Sequence, residues 1–330
     1  MILKNYLNGR KFIAILIITL LTSVSIFSYH KADAAKYPDD FKITTHNVYF
    51  MPQAIYPNWG QMQRANLIPK ANYIQNQDVI IFNELFDKQA TTQFLNNLSS
   101  QYPYQTPIVG KNKEGWNRTS GSYNPAKVVN GGVNIVSKWP ILEKEQHIYK
   151  NGCGADGFSN KGFAYIKINK NGKPYHIIGT HLQAEDGSCI KGKDRTIRES
   201  QMHEIRQFIK DKQIPKDEAV FIGGDLNVIK GSDEYSQMFD HLNVTQPTSF
   251  SGHNYSWDTQ TNGIAHYNYP KLAPQHLDYI LPDKDHAQPS SWDNKVHKAK
   301  SPQWSVTSWG KDYQYNDYSD HYPLAASTGT

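Results

Sequence analysis

Eight side chains scattered through the chain are suited to holding a hard cation or moving a proton: Asn47, Glu84, His181, Asp225, Asn227, Asp278, Asp320 and His321. A few carboxylates mixed with neutral amides suit Mg²⁺, which keeps several waters and takes further ligands from phosphate. Two histidines suit general acid–base work near neutral pH. Together they point to metal-assisted hydrolysis of a phosphoester, with water as the nucleophile. No competing motif is present, since the sequence lacks Gly-x-Ser-x-Gly, His-Glu-x-x-His and a P-loop. Each residue alone has an ordinary structural reading. Glu84 could be a loop carboxylate, Asp225 and Asn227 turn formers after Gly223-Gly224, and His181 a core histidine.

What sets these residues apart is where they stand. Val79-Ile80-Ile81-Phe82 ends in Asn83-Glu84, His176-Ile177-Ile178-Gly179 in Thr180-His181, and Val220-Phe221-Ile222 in Gly223-Gly224-Asp225-Leu226-Asn227. Phe41 to Thr45 precedes His46-Asn47, and Leu277-Asp278-Tyr279-Ile280-Leu281 carries its carboxylate inside the run. Short runs rich in Val and Ile read as buried strands. A sheet whose strand ends deliver polar groups to one rim holds an active site rigidly. Two helices are expected between the strands. One is capped by Asp87 with Ala90, Phe94 and Leu98 on one face; the other is capped by Asp194 with Ile197, Met202, Ile205, Phe208 and Ile209 near a 3.6-residue period. The segment Asn169-Lys170-Asn171-Gly172-Lys173 predicts a hairpin, hence antiparallel pairing in an α/β layered fold.

Composition narrows the class. At 38% hydrophobic residues and a mean hydropathy of −0.66, the chain is neither disordered nor a multi-span membrane protein. Residues 1–34 read as a secretory signal peptide. Lys4, Arg10 and Lys11 form a positive start, Phe12 to Phe27 is an apolar run broken only by Thr and Ser, and Ala32-Asp33-Ala34 offers small residues for cleavage. Residues 35–330 then form one large catalytic domain, secreted and extracellular. Four basic residues and Asp33 leave with the leader, so the formal charge falls from +5 to +2, too mild for a dedicated nucleic-acid binder. Cys153 and Cys189 are the two cysteines, so a bond, where it forms, joins these two. In an oxidising compartment a structural staple is expected rather than a reactive thiol.

The ordered set His46-Asn47-Val48-Tyr49, Asn83-Glu84, Gly179-Thr180-His181, Gly223-Gly224-Asp225-Leu226-Asn227, His276-Leu277-Asp278-Tyr279 and Ser319-Asp320-His321 resembles the deoxyribonuclease I-like metallophosphodiesterase superfamily. Within it the chain is similar to the secreted bacterial neutral sphingomyelinases. This narrower likeness rests on Tyr56-Pro57-Asn58-Trp59-Gly60, on Gly152-Cys153-Gly154 with Ser159-Asn160-Lys161-Gly162, and on Tyr315-Asn316-Asp317-Tyr318-Ser319-Asp320-His321-Tyr322-Pro323. The resemblance implies a four-layer α/β/β/α sandwich of two mostly antiparallel sheets. It implies Mg²⁺-dependent cleavage of sphingomyelin, in the outer leaflet of a host-cell membrane, to ceramide and phosphocholine by a haemolytic, monomeric enzyme, with Mn²⁺ or Co²⁺ as replacement ions.

By position, the resemblance makes Glu84 the principal metal ligand with Asn47 beside the ion, and His321 the general base oriented by Asp278. It places His181, Asp225 and Asn227 at the scissile phosphate and leaving oxygen, with the acid open between His181 and Asp225. Asp320 belongs to the same catalytic set, Asp156 falls where these enzymes carry a catalytically important aspartate, and Cys153 and Cys189 match the family's disulfide. The aromatic stretch from Pro302 to Tyr318 is expected to touch the membrane through Trp309. Trp304 is placed either there or in sheet packing. Some relatives carry paired bulky aromatics at a late hairpin tip, whereas here Gly310 follows Trp309. The alternative activity is a secreted deoxyribonuclease I-like nuclease, which would use the same catalytic set but should line its cleft with Arg and Lys. A pore former would need a long amphipathic strand, and no clear one is seen.

Overall fold

The computed structural model describes residues 37–328; the expected signal peptide at 1–34 lies outside them. In chain order the strands are β1 (Ile43–Phe50), β2 (Val79–Leu85), β3 (Tyr104–Gln105), β4 (Arg118–Gly121), β5 (Asn134–Ser137), β6 (Ile141–Ile148), β7 (Gly162–Lys170), β8 (Lys173–His181), β9 (Ala219–Asp225), β10 (Ser249–Gly252), β11 (Asp278–Pro282), β12 (Asp293–Val296), β13 (Lys300–Ser308), β14 (Lys311–Asp317) and β15 (Leu324–Ser327). The helices are α1 (Gln61–Leu67), α2 (Lys88–Leu98), α3 (Lys193–Lys212), α4 (Asp233–Leu242) and α5 (Gly263–Asn268).

Alternation along the buried strands builds the layers. In β2, Val79 and Ile81 face a core shared with Ile166, Ile177, Phe221 and Ile280 of the opposite sheet. Ile80 and Phe82 point the other way, onto Phe94 and Leu98 of α2. In β9, Phe221 faces inward, while Val220 and Ile222 pack on Met202, Ile205 and Phe208 of α3 and on Met238 of α4. Strand side chains alternate faces with period two, so runs that are apolar at every position bury both faces. The result is helix, sheet, sheet, helix: the four-layer sandwich expected.

One sheet has the order β10-β12-β15-β1-β2-β5-β3 and the other β11-β9-β8-β7-β6-β4. Most pairings are antiparallel; β1–β2, β8–β9, β10–β12 and β4–β6 are parallel. The predicted hairpin joins β7 to β8, with Lys170 opposite Lys173 across Asn171-Gly172. The sheets approach closely at Gly179, where a Cβ would stand 2.8 Å from the Ile81 side chain.

The cap of α2 is as expected, with Asp87 accepting from the Ala90 N–H at 2.8 Å. Asp194 does not cap α3. The helix begins at Lys193, two residues earlier than such a cap would set it, after left-handed Gly192, and Asp194 sits inside the first turn, where its charge still favours the helix dipole.

Strands β13 and β14 form a separate hairpin. Trp304 is 5% exposed, packs with Trp59 and Ile264, and donates its indole N–H to the Asp317 carbonyl at 2.9 Å. Its place is therefore core packing, which corrects its placement at the membrane. Trp309 stands at the hairpin tip, 62% exposed.

Candidate active site

Register alone gathers the polar strand ends. The parallel β8–β9 pair sets His181 opposite Asp225, and the antiparallel β9–β11 pair sets Asp278 opposite the same Asp225. The parallel β1–β2 pair sets Asn47 opposite Asn83, one residue before Glu84. His321 arrives from the loop before β15, bridged to Trp257. Gly224 makes room for this convergence. A Cβ there would meet the Thr180 carbonyl oxygen at 1.8 Å, and its φ of 140° is one that L-residues rarely adopt. Tyr49, Glu84 and Asn227 also have left-handed backbones, at φ 50°, 62° and 53°. Such conformations in non-glycine residues cluster where a surrounding structure holds functional groups in place.

Asn47 braces the two sheets. Its Nδ2 donates to Glu84 Oε1 at 2.9 Å and to Asp225 Oδ2 at 3.0 Å, while its Oδ1 accepts from the Tyr49 N–H at 3.1 Å. His181 Nε2 and His321 Nε2 both face Asp225 Oδ2, each at 3.6 Å, and His181 Nε2 lies 4.0 Å from Glu84 Oε1. These separations are longer than direct hydrogen bonds. His321 Nδ1–H donates to Asp278 Oδ2 at 2.8 Å, leaving Nε2 directed into the cleft. Asn227 donates its backbone N–H to Asp225 Oδ1 and its amide to the Leu182 carbonyl. Asp320 is buried beside this cluster, with Ser319 Oγ donating to its Oδ1 at 3.2 Å.

Buried carboxyl groups are concentrated here. Burial and then Asp320 raise the Glu84 carboxyl well above the ordinary carboxylate range. Burial and then Asp278 raise Asp225, and burial raises Asp320. Burial opposes a charge on His321, but Asp278, Asp225 and Asp320 outweigh it and lift its pKa well above the usual imidazole value. Burial, with Lys161 and His321 adding to it, pushes His181 far below that value. Glu84 Oε2 is buried and has no hydrogen-bond partner among the described residues. An orphaned carboxylate oxygen, among carboxyls that repel one another, fits a divalent cation; the ligand atoms of Glu84, His181 and Asp225 all lie within 4.8 Å of one another. The Glu84 carboxylate offers the oxygen donor that suits Mg²⁺, and Asn47 stands beside it with Nδ2 bracing that carboxylate.

Asp156 is one link removed from the cluster. Its Oδ2 accepts from Lys161 Nζ at 2.7 Å and from the Ala184 N–H at 2.9 Å. Lys161 is 4% exposed, also donates to the Leu182 carbonyl at 2.9 Å, and its charge acts on both His181 and Asp225. Asp156 therefore reaches the site through Lys161, a residue to which the sequence reading gave no role. The signal available was a lysine standing directly before an apolar strand, Phe163 to Ile166.

Three further residues support the site, Asn83 and His46 quoted in the sequence motifs without a role and Arg64 not singled out. Asn83 Oδ1 accepts from the Asp225 N–H at 3.0 Å while its Nδ2 donates to the Thr180 carbonyl at 2.9 Å. Arg64, fully buried, donates to the carbonyls of Val48 and Tyr49 and holds the bulge after Asn47. His46, pushed down to about 3 by burial, stays neutral; its Nε2 lies 3.2 Å from the His321 carbonyl, and Tyr73 hydroxyl is 3.0 Å from its Nδ1.

Cys153 and Cys189 are bonded, closing a separation of 36 residues around the turn that carries Asp156.

Comparison with known proteins finds a family model and several relatives. The model of the Endonuclease/Exonuclease/phosphatase family matches residues 46–321. A Sphingomyelinase C of Listeria ivanovii is 56% identical over 293 residues, covering 89% of this chain and 88% of the relative. A Phospholipase C of Staphylococcus aureus is 50% identical over 328 residues, 99% of both chains. A crystal structure of a beta toxin from Staphylococcus aureus with bound magnesium ions superposes with a TM-score of 0.87 at 53% identity, covering 88% of this chain and 100% of that one.

Proposed function

We propose a phospholipase C reaction for this chain, which belongs to the Endonuclease/Exonuclease/phosphatase family and, within it, to the sphingomyelinases C. The substrate is sphingomyelin and the products are ceramide and phosphocholine. The observation that carries this reading is the high identity to proteins named Sphingomyelinase C along most of the chain. The nuclease alternative has no comparable support. It shares only the catalytic set.

Mg²⁺, held by Glu84 with Asn47 beside it, would neutralise charge on the phosphate oxygens when bound; Mn²⁺ or Co²⁺ would serve in its place. His321 takes a proton from the attacking water at Nε2, because Nδ1 is committed to Asp278; the carboxylates around it favour the imidazolium that forms, and a cation bound beside Glu84 and Asp225 would offset their charge and favour the neutral imidazole that the step starts from. Water's oxygen joins phosphorus as the bond to the ceramide oxygen breaks. Asp225, raised by burial, returns a proton to that oxygen in preference to His181, which burial keeps neutral. His181 and Asn227 position the phosphate, and Asp320 and Lys161 set the field around it.

The setting follows from the same reading. Residues 1–34 are the secretory leader and 35–330 the mature monomer. It acts extracellularly, as a haemolytic toxin on the outer leaflet, with peripheral membrane contact at Trp309. No helix among the described residues is long and apolar enough to cross a membrane. The test is phosphocholine release from sphingomyelin set beside plasmid nicking, each with Mg²⁺ and with chelator. Release that needs Mg²⁺, without nicking, is expected. Nicking without release would overturn the reading.

A further inference from the structure

A second cluster of metal-ligating side chains lies on the helical layer of the β9 sheet. Glu199 and His203 are four residues apart on α3 and so share a face. His241 stands in the last turn of α4, which packs against α3. Glu199 Oε1 lies 3.9 Å from His203 Nε2 and 3.8 Å from His241 Nε2, and one ligand atom from each of the three falls within 4.8 Å of the others. The two imidazoles meet at 80° with centroids 4.9 Å apart.

Around an ion with bonds of about 2.0–2.2 Å, ligand atoms must lie somewhat closer than this. Small rotations of half-exposed Glu199 and His203 supply that closure. Two imidazoles and one carboxylate are the donor set of zinc, with a fourth position left to water. It differs in kind from the oxygen-rich rim at Glu84, which suits a harder ion.

We propose that Glu199, His203 and His241 form a surface site for one Zn²⁺-class cation that ties α3 to α4. Polar links already run along the same seam: Arg198 donates to both carboxylate oxygens of Glu234, and Arg195 donates to Gln237. The loop entering α4 continues from Asn227, so a clamp here braces the back of the strand that carries Asp225. Binding to the folded state alone stabilises it by mass action.

The test uses the whole protein with Zn²⁺ as the probe, under excess Mg²⁺. Equilibrium dialysis should find one fewer bound Zn²⁺ in His203→Ala and in His241→Ala than in wild type, while Glu84→Gln keeps this equivalent. Zinc-edge anomalous diffraction should place the ion between the two helices. Zn²⁺ should raise the melting temperature of wild type more than that of either histidine variant, and both variants should keep wild-type activity in Mg²⁺ alone. Equal zinc stoichiometry in wild type and both histidine variants, or no anomalous peak at the seam, would overturn the site and leave Glu199 as an ion-pair partner of the two imidazoles.

Discussion

His321 and Asp278, 43 residues apart in sequence, share a hydrogen bond of 2.8 Å between two side chains that are almost completely buried. The bond uses Nδ1, fixes the tautomer and leaves Nε2 3.6 Å from Asp225 Oδ2. Asp278 reaches this position because it is the first residue of β11 and pairs across to Asp225, the last of β9.

A dyad held this way should fail as a unit. Loss of a general base costs about 10²–10⁴ in rate. His321→Ala and Asp278→Ala should each fall in that range, and the double variant should lose little more than the worse single one. Steady-state phosphocholine release from the three variants measures this. Losses that multiply independently would mean the two residues act separately.

Glu84→Gln should abolish the metal response without harming the fold. Burial and Asp320 already make the Glu84 charge unfavourable, so the isosteric amide relieves repulsion when no ion is bound. The variant should melt at or above wild type in chelator and gain nothing from Mg²⁺, while kcat falls by about 10² or more. A variant still stabilised by Mg²⁺ as strongly as wild type would move the ion elsewhere.

Breaking the Cys153–Cys189 bond should act on stability first and on catalysis through Lys161. Closing a loop of this length is worth roughly 4 kcal/mol in the chain-entropy model. The bonded segment carries Asp156, whose carboxylate holds Lys161 Nζ at 2.7 Å. Cys153→Ser with Cys189→Ser should lower Tm markedly, while the Mg²⁺-induced rise in Tm persists. Asp156→Asn should lower kcat and also Tm, since it takes the carboxylate partner from buried Lys161. Full activity in Asp156→Asn would remove Lys161 positioning from the account.

Acid should weaken the fold through buried neutral histidines. Burial pushes both His176 and His276 down to about 4 from the ordinary 6.5. The unfolded chain therefore takes up these protons first. The stabilising contribution is present above pH 6.5 and is lost as pH falls from 6.5 towards 4, by up to ~1.4 kcal/mol per pH unit for each group. Urea unfolding in saturating Mg²⁺ at pH 7 and pH 5 should show the decline. His276→Phe should remove its share of the decline, because a phenyl ring takes up no proton, and leave that of His176. An unchanged slope would show that His276 does not contribute.

Much of this molecule was legible before its coordinates. Apolar runs ending in Glu84, His181 and Asp225 could be read as strands because a strand buried on both faces needs an unbroken Val and Ile pattern. The hairpin at Asn171-Gly172 was legible because its turn demands particular residues. Helix α4 was not anticipated, although Ser232 caps it and Tyr235, Met238 and Leu242 lie on one buried face. Its short amphipathic pattern follows a Gly-Ser turn and gives little periodicity to read. Lys161 and Arg64 were hidden for a different reason: a buried cation is stabilised by carbonyls and carboxylates brought from distant segments, and sequence spacing does not encode those distances. Trp304 could not be separated from Trp309 by composition. The separation came from the β13–β14 register, which turns Trp304 inward against Trp59.

That same register gives the two tryptophans opposite expected behaviours. Trp304 is 5% exposed with its indole N–H bonded, so Trp304→Ala removes a packed ring and should cost about 3–5 kcal/mol, lowering Tm and both lipid and soluble activities together. Trp309 is 62% exposed at the tip and touches Tyr313 edge-on, with ring centroids 6.5 Å apart. An exposed indole at a hairpin tip loses little on removal in water, so Trp309→Ala should leave Tm and the hydrolysis of a soluble chromogenic phosphodiester unchanged. Tryptophan favours the membrane–water interface, where its ring is apolar and its N–H remains satisfied. The same variant should therefore bind and hydrolyse sphingomyelin liposomes less well than wild type. Liposome flotation and phosphocholine release measure the two losses, and Trp309→Phe should recover part of each. Equal activity of Trp309→Ala and wild type on liposomes would remove the hairpin tip from membrane contact and leave docking to another part of the surface.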